Sequence, residues 1–199
     1  RAPSHATATG GVGAEGVKFA YADPPYLGCC KLYDHFHPDG RCWDDIETHA
    51  TLVDRLAEYD AWAMSGTSGS LRHLLPLCPD DVRVGAWVKP FAVYKPGVNP
   101  GYCWEPVIFS GPNLGREGAA IRDFLSEPVR IGPNRKNADG ALVPGAKSWR
   151  FCWWVFDLLG ATPDDEFHDL FVGSGAVARA WDLYCQRERI EQLTLGGAA

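Results

Sequence analysis

Two adjacent prolines close an apolar run near one end of the chain. Val17-Lys-Phe-Ala-Tyr-Ala22 has the make-up of a buried strand, and it leads directly into Asp23-Pro24-Pro25-Tyr26. Proline brings no N–H to a β-ladder and locks φ, so the strand has to end there. The tetrapeptide is therefore presented rigidly at a strand's carboxyl end.

The alternation of apolar runs and breakers continues along the chain. Asp44 or Asp45 is the N-cap of a helix with Ile46, Leu52, Val53, Leu56 and Ala57 at helical spacing. A second strand over 61–65 ends in Gly66-Thr-Ser-Gly69, and a helix over 70–75 is stopped by Pro76. Further strands are expected over 82–88, 105–110 and 166–172, and helices over 149–159 and 176–187, with a helical look to 119–125. Proline and glycine make 89–103 a loop. This order predicts an α/β fold: an open, Rossmann-like, mostly parallel sheet with helices on both faces and ligands beyond the strands' carboxyl ends. One domain over 17–199 is expected, preceded by a flexible Ala-, Thr-, Ser- and Gly-rich tail over 1–16.

Composition narrows the class. A chain of 199 residues, 46% hydrophobic and 22% charged, can bury one real core. The most apolar stretch, 151–159, is short for a membrane span and is broken by Asp157, and no signal-peptide layout is visible, so a cytoplasmic protein is expected. Seven cysteines without a secretory signal argue for reduced thiols. The net charge of -6 opposes binding to a polyanion. Its distribution answers this, because 111–150 holds Arg116, Arg122, Arg130, Arg135, Lys136, Lys147 and Arg150 against Glu117, Asp123, Glu127 and Asp139. That irregular, net-basic insert is the candidate face for reading a nucleic acid.

The residue types at the strand end suit one difficult reaction. An exocyclic amine on a nucleobase has its lone pair delocalised into the ring and is a poor nucleophile. A carboxylate and a fixed carbonyl that both accept its hydrogens would turn that lone pair toward an electrophile. Asp23 and the carbonyl of Pro24 fit these roles, Pro25 stiffens the turn, and the ring of Tyr26 suits stacking on a base taken out of its helix. Near the other end, Asp169-Leu-Phe-Val-Gly173-Ser174-Gly175 is a strand, then a Gly-x-Gly turn, then a helix, which brings backbone amides close to a nucleoside-type ligand.

Together, Asp23-Pro-Pro-Tyr26 and Asp169-Leu-Phe-Val-Gly-Ser-Gly175 resemble the paired signatures of the S-adenosylmethionine-dependent amino-methyltransferases, which make N6-methyladenine or N4-methylcytosine. Their order, catalytic motif first and cofactor loop last, resembles the permuted beta-class and phage-type DNA methylases, with the target-recognition segment between them. The resemblance implies that Asp169, Phe171, Gly173, Ser174 and Gly175 bind S-adenosylmethionine and that Asp23 and Tyr26 hold the base. It further implies that Lys147-Ser148, ahead of an apolar helix, close over the methionine end, although the family usually has proline after this lysine. Trp87-Val-Lys89 and Trp104-Glu105-Pro-Val-Ile-Phe109 occupy places of successive family strands. The family adds two more strands after the last helix, one with an acidic ribose ligand; 186–199 offers no clear counterpart. A sheet lacking two strands is therefore expected, with Glu188, Glu191, a homodimer mate or another partner completing the cofactor site.

Asp in the first motif position implies adenine in DNA as the target, with RNA adenine or DNA cytosine as rival substrates and a non-catalytic nucleic-acid-binding module as the rival class. Tyr94, Tyr102 and Trp104 are candidates for stacking on bases, and Arg116, Arg135 and Lys136 for phosphates or guanines. No metal is expected. Cys29, Cys30, His35, His37 and Cys42 crowd into one loop, but they match no standard zinc spacing and read as small buried thiols and solvated imidazoles.

Overall fold

A computed structural model of the protein describes residues 16–32, 40–90, 97–111, 120–127 and 147–196, the side chains of Leu32 and of 188–196 excepted. The expected tail is outside this set apart from Gly16. The strands are β1 (Lys18–Ala22), β2 (Ala61–Ser65), β3 (Arg83–Val88), β4 (Trp104–Ser110), β5 (Phe124–Ser126) and β6 (Glu166–Asp169). The helices are α1 (Ile46–Leu56), α2 (Leu71–Leu74), α3 (Trp149–Leu159) and α4 (Ala176–Gly196).

The six strands form one sheet in the order β5-β3-β4-β2-β1-β6. β1 pairs in parallel with β2 and β6, and β3 with β5, while β4 runs antiparallel to both β2 and β3. The sheet is thus mostly parallel, as expected, with β4 alone reversed. Strand alternation sorts the core into two layers. Phe19 and Tyr21 point to the face covered by α3 and α4, where Phe151, Val155, Phe156 and Tyr184 are buried. Ala20 and Ala22 point to the face of Leu52, Val53 and Leu56 of α1 and Leu74 of α2. Burying each such large side chain stabilises the fold by about 1.5–3 kcal/mol.

Local chemistry sets several boundaries. Asp45 caps α1 by accepting the Glu47 N–H, and Ser148 caps α3 by accepting the Phe151 N–H at 3.1 Å. Gly160 ends α3 in the left-handed conformation at φ 69°. Gly85 gives close packing, because a Cβ there would lie 3.0 Å from the ring of Trp154 and 3.2 Å from the Asp123 carbonyl and both would have to give way. Among the described residues no helix is long and apolar enough to cross a membrane.

Four expectations are corrected. The helical look of 119–125 gives way to β5, because β3 has backbone groups to satisfy: Ala86 N–H donates to Asp123 O and Glu127 N–H to Val88 O. The strand expected over 166–172 ends at Asp169, whose carboxylate accepts the Phe171 N–H and turns the chain. Pro76 does not stop a helix over 70–75; α2 has only four residues, and Pro76 lies inside a following 3₁₀ turn, Leu75–Leu77, where an early proline lacks no needed donor. The last helix runs on to Gly196 instead of stopping at Arg187, its continuation being rich in Glu, Gln, Arg and Leu, which favour helix.

Candidate active site

β1 and β6 lie side by side with Tyr21 opposite Asp169, and Leu170 N–H donates to Tyr21 O at 2.9 Å. The two motifs, far apart in the chain, therefore leave the sheet at the same edge and in the same direction. Pro24 and Pro25 are buried, while Asp23 and Tyr26 are half-buried. The rigid part of the motif is packed into the protein and its polar side chains are partly exposed.

Those groups belong to one charge network. Lys147 Nζ lies 2.9 Å from Asp23 Oδ1 and 2.9 Å from the Tyr26 hydroxyl, and 3.7 Å from Glu105 Oε2. The Tyr26 hydroxyl lies 3.1 Å from Asp23 Oδ1 and 3.2 Å from Glu105 Oε2, so its single proton has two carboxylates within reach. Glu105 Oε1 pairs with Lys89 Nζ. Lys147 is the most enclosed member, with its side chain only 3% exposed. Burial works against its charge, but Asp23, Tyr21 and Glu105 outweigh burial and hold its pKa above the ordinary lysine range. Burial pushes Glu105 up, yet Lys147 and Lys89 together hold it below the usual carboxylate range. Burial lowers Lys89, with Glu105 resisting. Trp87 floors the network, Lys89 Nζ lying 4.3 Å and Lys147 Nζ 5.5 Å from its ring centroid. Beneath Asp23, the buried Tyr21 hydroxyl bonds Ser65 Oγ at 2.7 Å, fixing the ends of β1 and β2 together.

The glycine turn is built on left-handed backbone, with φ +46° at Gly173 and +68° at Gly175. Gly175 N–H donates to Val172 O at 2.7 Å, and Arg179 ties the turn to α4 through the Ser174 carbonyl at 3.0 Å. The Phe171 ring packs edge-on against Trp43 at 5.1 Å. Asp169 is half-buried, and its enclosed Oδ2 atom has no hydrogen-bond partner. Its carboxyl is pushed up to about 6, chiefly by burial, with the Phe171 N–H opposing and the Asp23 charge reinforcing the rise. An enclosed acidic oxygen left without a donor is suited to a cation.

Of the sequence-predicted residues, the fold brings together Asp23, Tyr26, Lys147, Asp169, Phe171, Gly173, Ser174 and Gly175. Lys147 is placed on Asp23, and the Ser148 hydroxyl is committed to capping α3 and to the buried Glu127. Tyr102 and Trp104 stand at the same end of the sheet, 65% and 36% exposed. Tyr94, Arg116, Arg135, Lys136, His35 and His37 lie outside the described residues, as does most of the 111–150 insert and the side chains of Glu188 and Glu191. Cys30 is buried and its thiol is pushed up to about 12 by burial and the neighbouring Asp44, while Cys42 is exposed. Among the described residues no group of three or more His, Cys, Asp or Glu side chains is placed to hold a metal.

Glu105 and Lys89 are the members whose role sequence reading missed, having marked Glu105 only as a strand position and Lys89 only as the junction of a strand and a loop. The available signal was a lone acid at the start of an apolar strand. Because β4 is antiparallel, with Glu105 paired to Trp87 and Trp104 to Val88, its amino end joins the carboxyl ends of the other strands.

No family model and no curated protein matches the sequence. Solved structures do. A crystal structure of an M1.HpyAVI-SAM complex superposes with a TM-score of 0.54 at 16% identity, over 85% of this chain and 79% of that one. A crystal structure of M1.HpyAVI superposes with 0.52 at 16% identity, over 85% and 78%. The chain shares the fold of M1.HpyAVI. At that identity the likeness to M1.HpyAVI carries the architecture, and the reaction has to be argued from the side chains.

Proposed function

We propose that this chain transfers a methyl group from S-adenosylmethionine to the N6 amine of adenine in DNA. The observation that carries the reading is the adjacency of Asp23 and Asp169, two acids at the ends of neighbouring parallel strands, one in a rigid Asp-Pro-Pro-Tyr turn and the other leading a glycine turn. The shared fold with an M1.HpyAVI-SAM complex supports it further.

The residues present fit the cofactor. The orphaned Asp169 Oδ2 suits the ligand's ammonium, and the turn at Gly173 and Gly175, free of side chains, lets a ligand approach the backbone closely. Three carboxylates, Asp23, Glu105 and Asp169, face two ammoniums, Lys89 and Lys147, leaving one net negative charge for a ligand with one net positive charge. When bound, S-adenosylmethionine supplies an electrophilic methyl on a sulfonium.

The protein's part is to aim the amine. Asp23 and the Pro24 carbonyl accept the two amine hydrogens, which frees the nitrogen lone pair for displacement. The nitrogen would take the methyl as it leaves the sulfonium, with S-adenosylhomocysteine as the leaving group, and Asp23 would pass the proton lost from nitrogen to water. Tyr26 stacks on the flipped base. Tyr102 and Trp104, both solvent-facing at this end, hold neighbouring bases.

The test is transfer of a radiolabelled methyl from S-adenosylmethionine to matched DNA and RNA oligonucleotides, followed by nucleoside analysis. Label in N6-methyladenine from DNA is expected. Label only in RNA, or in cytosine, sinks the substrate assignment, and no label in any nucleic acid sinks the reaction.

A further inference from the structure

In the structure, Asp23 is already partly engaged. Its Oδ1 is already held by the Lys147 ammonium at 2.9 Å and lies 3.1 Å from the Tyr26 hydroxyl. A carboxylate whose charge is shared with an ammonium attracts a further donor less strongly, so loosening the resting pair strengthens the hold of Asp23 on the amine. Lys147 cannot release its charge to solvent, since its side chain is 3% exposed. Among the described residues a second carboxylate is in place to receive it: Glu105 Oε2 is 3.7 Å from Lys147 Nζ and 3.2 Å from the Tyr26 hydroxyl. Its other oxygen is held by Lys89, which keeps Glu105 fixed.

Resting on the methyl-transfer reading, we infer that Glu105 is a positioning residue that takes over Lys147 and the Tyr26 proton when Asp23 turns to the target amine. The transfer of partners moves the ammonium a short way between two acids and exposes no charge. It also keeps the Tyr26 ring anchored through its hydroxyl while the base arrives. Glu105 itself touches neither substrate nor cofactor in this scheme; it acts through Lys147 and Tyr26.

The experiment is steady-state kinetics on wild type, Glu105→Gln, Lys147→Met and the double variant, with thermal melting of each. Glu105→Gln should lower kcat by about 100-fold, the scale of a misplaced catalytic group, with KM for the oligonucleotide and affinity for S-adenosylmethionine held within about two-fold. In the Lys147→Met background the same change should cost little more, since the ammonium to be received is gone. Wild-type kcat in Glu105→Gln overturns the inference and leaves the methyl-transfer reading intact. Equal losses in both backgrounds also overturn it, because Glu105 would then act independently of Lys147. Should Lys147→Met not fold, the split between kcat and KM in Glu105→Gln decides: a loss confined to kcat supports the inference, and a loss confined to KM overturns it. A wild-type protein with no transferase activity overturns both readings, and is told apart by the first measurement alone.

Discussion

Lys147 Nζ and Asp23 Oδ1 meet at 2.9 Å at the carboxyl end of β1, the lysine entering from the residue before the cap of α3. The pair joins the two ends of the domain: β1 opens the sheet's central strands and α3 covers the face on which Phe19 and Tyr21 lie. It also sets the electrostatic condition of the site, since Lys147 is the buried cation on which Asp23 and Glu105 converge.

The pair has a stability consequence. Lys147→Met removes the ammonium and leaves Asp23 and Glu105 with Lys89 as the remaining cation of the network. Breaking a buried pair from one side costs roughly 3 kcal/mol. Urea denaturation should show a loss of that order, and a loss below about 1 kcal/mol, the worth of an exposed pair, would contradict the burial of Lys147.

Asp23 carries the proposed chemistry. Asp23→Asn keeps the side chain's shape and removes the acceptor charge, so transfer should fall by at least about 100-fold while calorimetry still registers S-adenosylmethionine binding. Parallel loss of both would place Asp23 in the cofactor pocket instead of on the target amine.

Asp169 makes stability depend on pH. Its carboxyl titrates at about 6 in the folded protein against an ordinary 3.8. The folded state therefore holds the proton more tightly than the unfolded state, and this group's contribution to stability falls as pH rises from about 4 to about 6. Asp169→Asn should melt close to wild type near pH 4, gain on it through that window and stay above it by a constant margin at neutral pH. Wild-type affinity for a cationic cofactor should strengthen over the same window as the carboxylate ionises, and the variant should lack that rise. Thermal melts and calorimetry across the range check both, and a pH-independent difference between the proteins would remove Asp169 from this role.

The glycine turn should not accept a branched residue. A Cβ at Gly173 would meet only the Phe171 carbonyl oxygen at 3.6 Å, an ordinary contact, so crowding within the protein is not the obstacle. The obstacle is φ of +46°, which costs an L-residue about 1–2 kcal/mol. Gly173→Val should lower stability by that amount and weaken S-adenosylmethionine binding as the turn relaxes; unchanged affinity in calorimetry would count against the loop as the cofactor site.

Tyr102 and Trp104 offer exposed aromatic surface without a large part in the core. Each Tyr102→Ala or Trp104→Ala change should weaken binding to a single-stranded oligonucleotide by roughly ten-fold, the worth of one lost stacking contact, and leave the melting temperature near wild type. Fluorescence anisotropy with an end-labelled oligonucleotide reads the first effect. A lost melting temperature with unchanged binding would make these side chains structural.

What the sequence determined by itself was whatever depends on backbone chemistry within a few residues. Pro24 and Pro25 end β1 because they lack an N–H, Asp45 and Ser148 begin helices because their oxygens meet unpaired amides, and the glycines at 173 and 175 allow the left-handed turn. The alternating strands and helices that follow from such signals were enough for the α/β sheet with two covered faces. The same local logic failed at 119–125, where helical spacing lost to the unsatisfied edge of β3, and at Leu170–Val172, where the Asp169 carboxylate captured a backbone amide.

Only the tertiary structure decided how the site is composed. Glu105 reaches Tyr26 because β4 runs backwards between β2 and β3, a direction that no feature of the segment around Glu105 announces. Lys147 meets Asp23 because packing α3 against the sheet leaves its ammonium buried, where an acid has to accompany it. Register, strand direction and the pairing of buried charge are set by satisfying groups far apart in the chain, and those determine which side chains share a site.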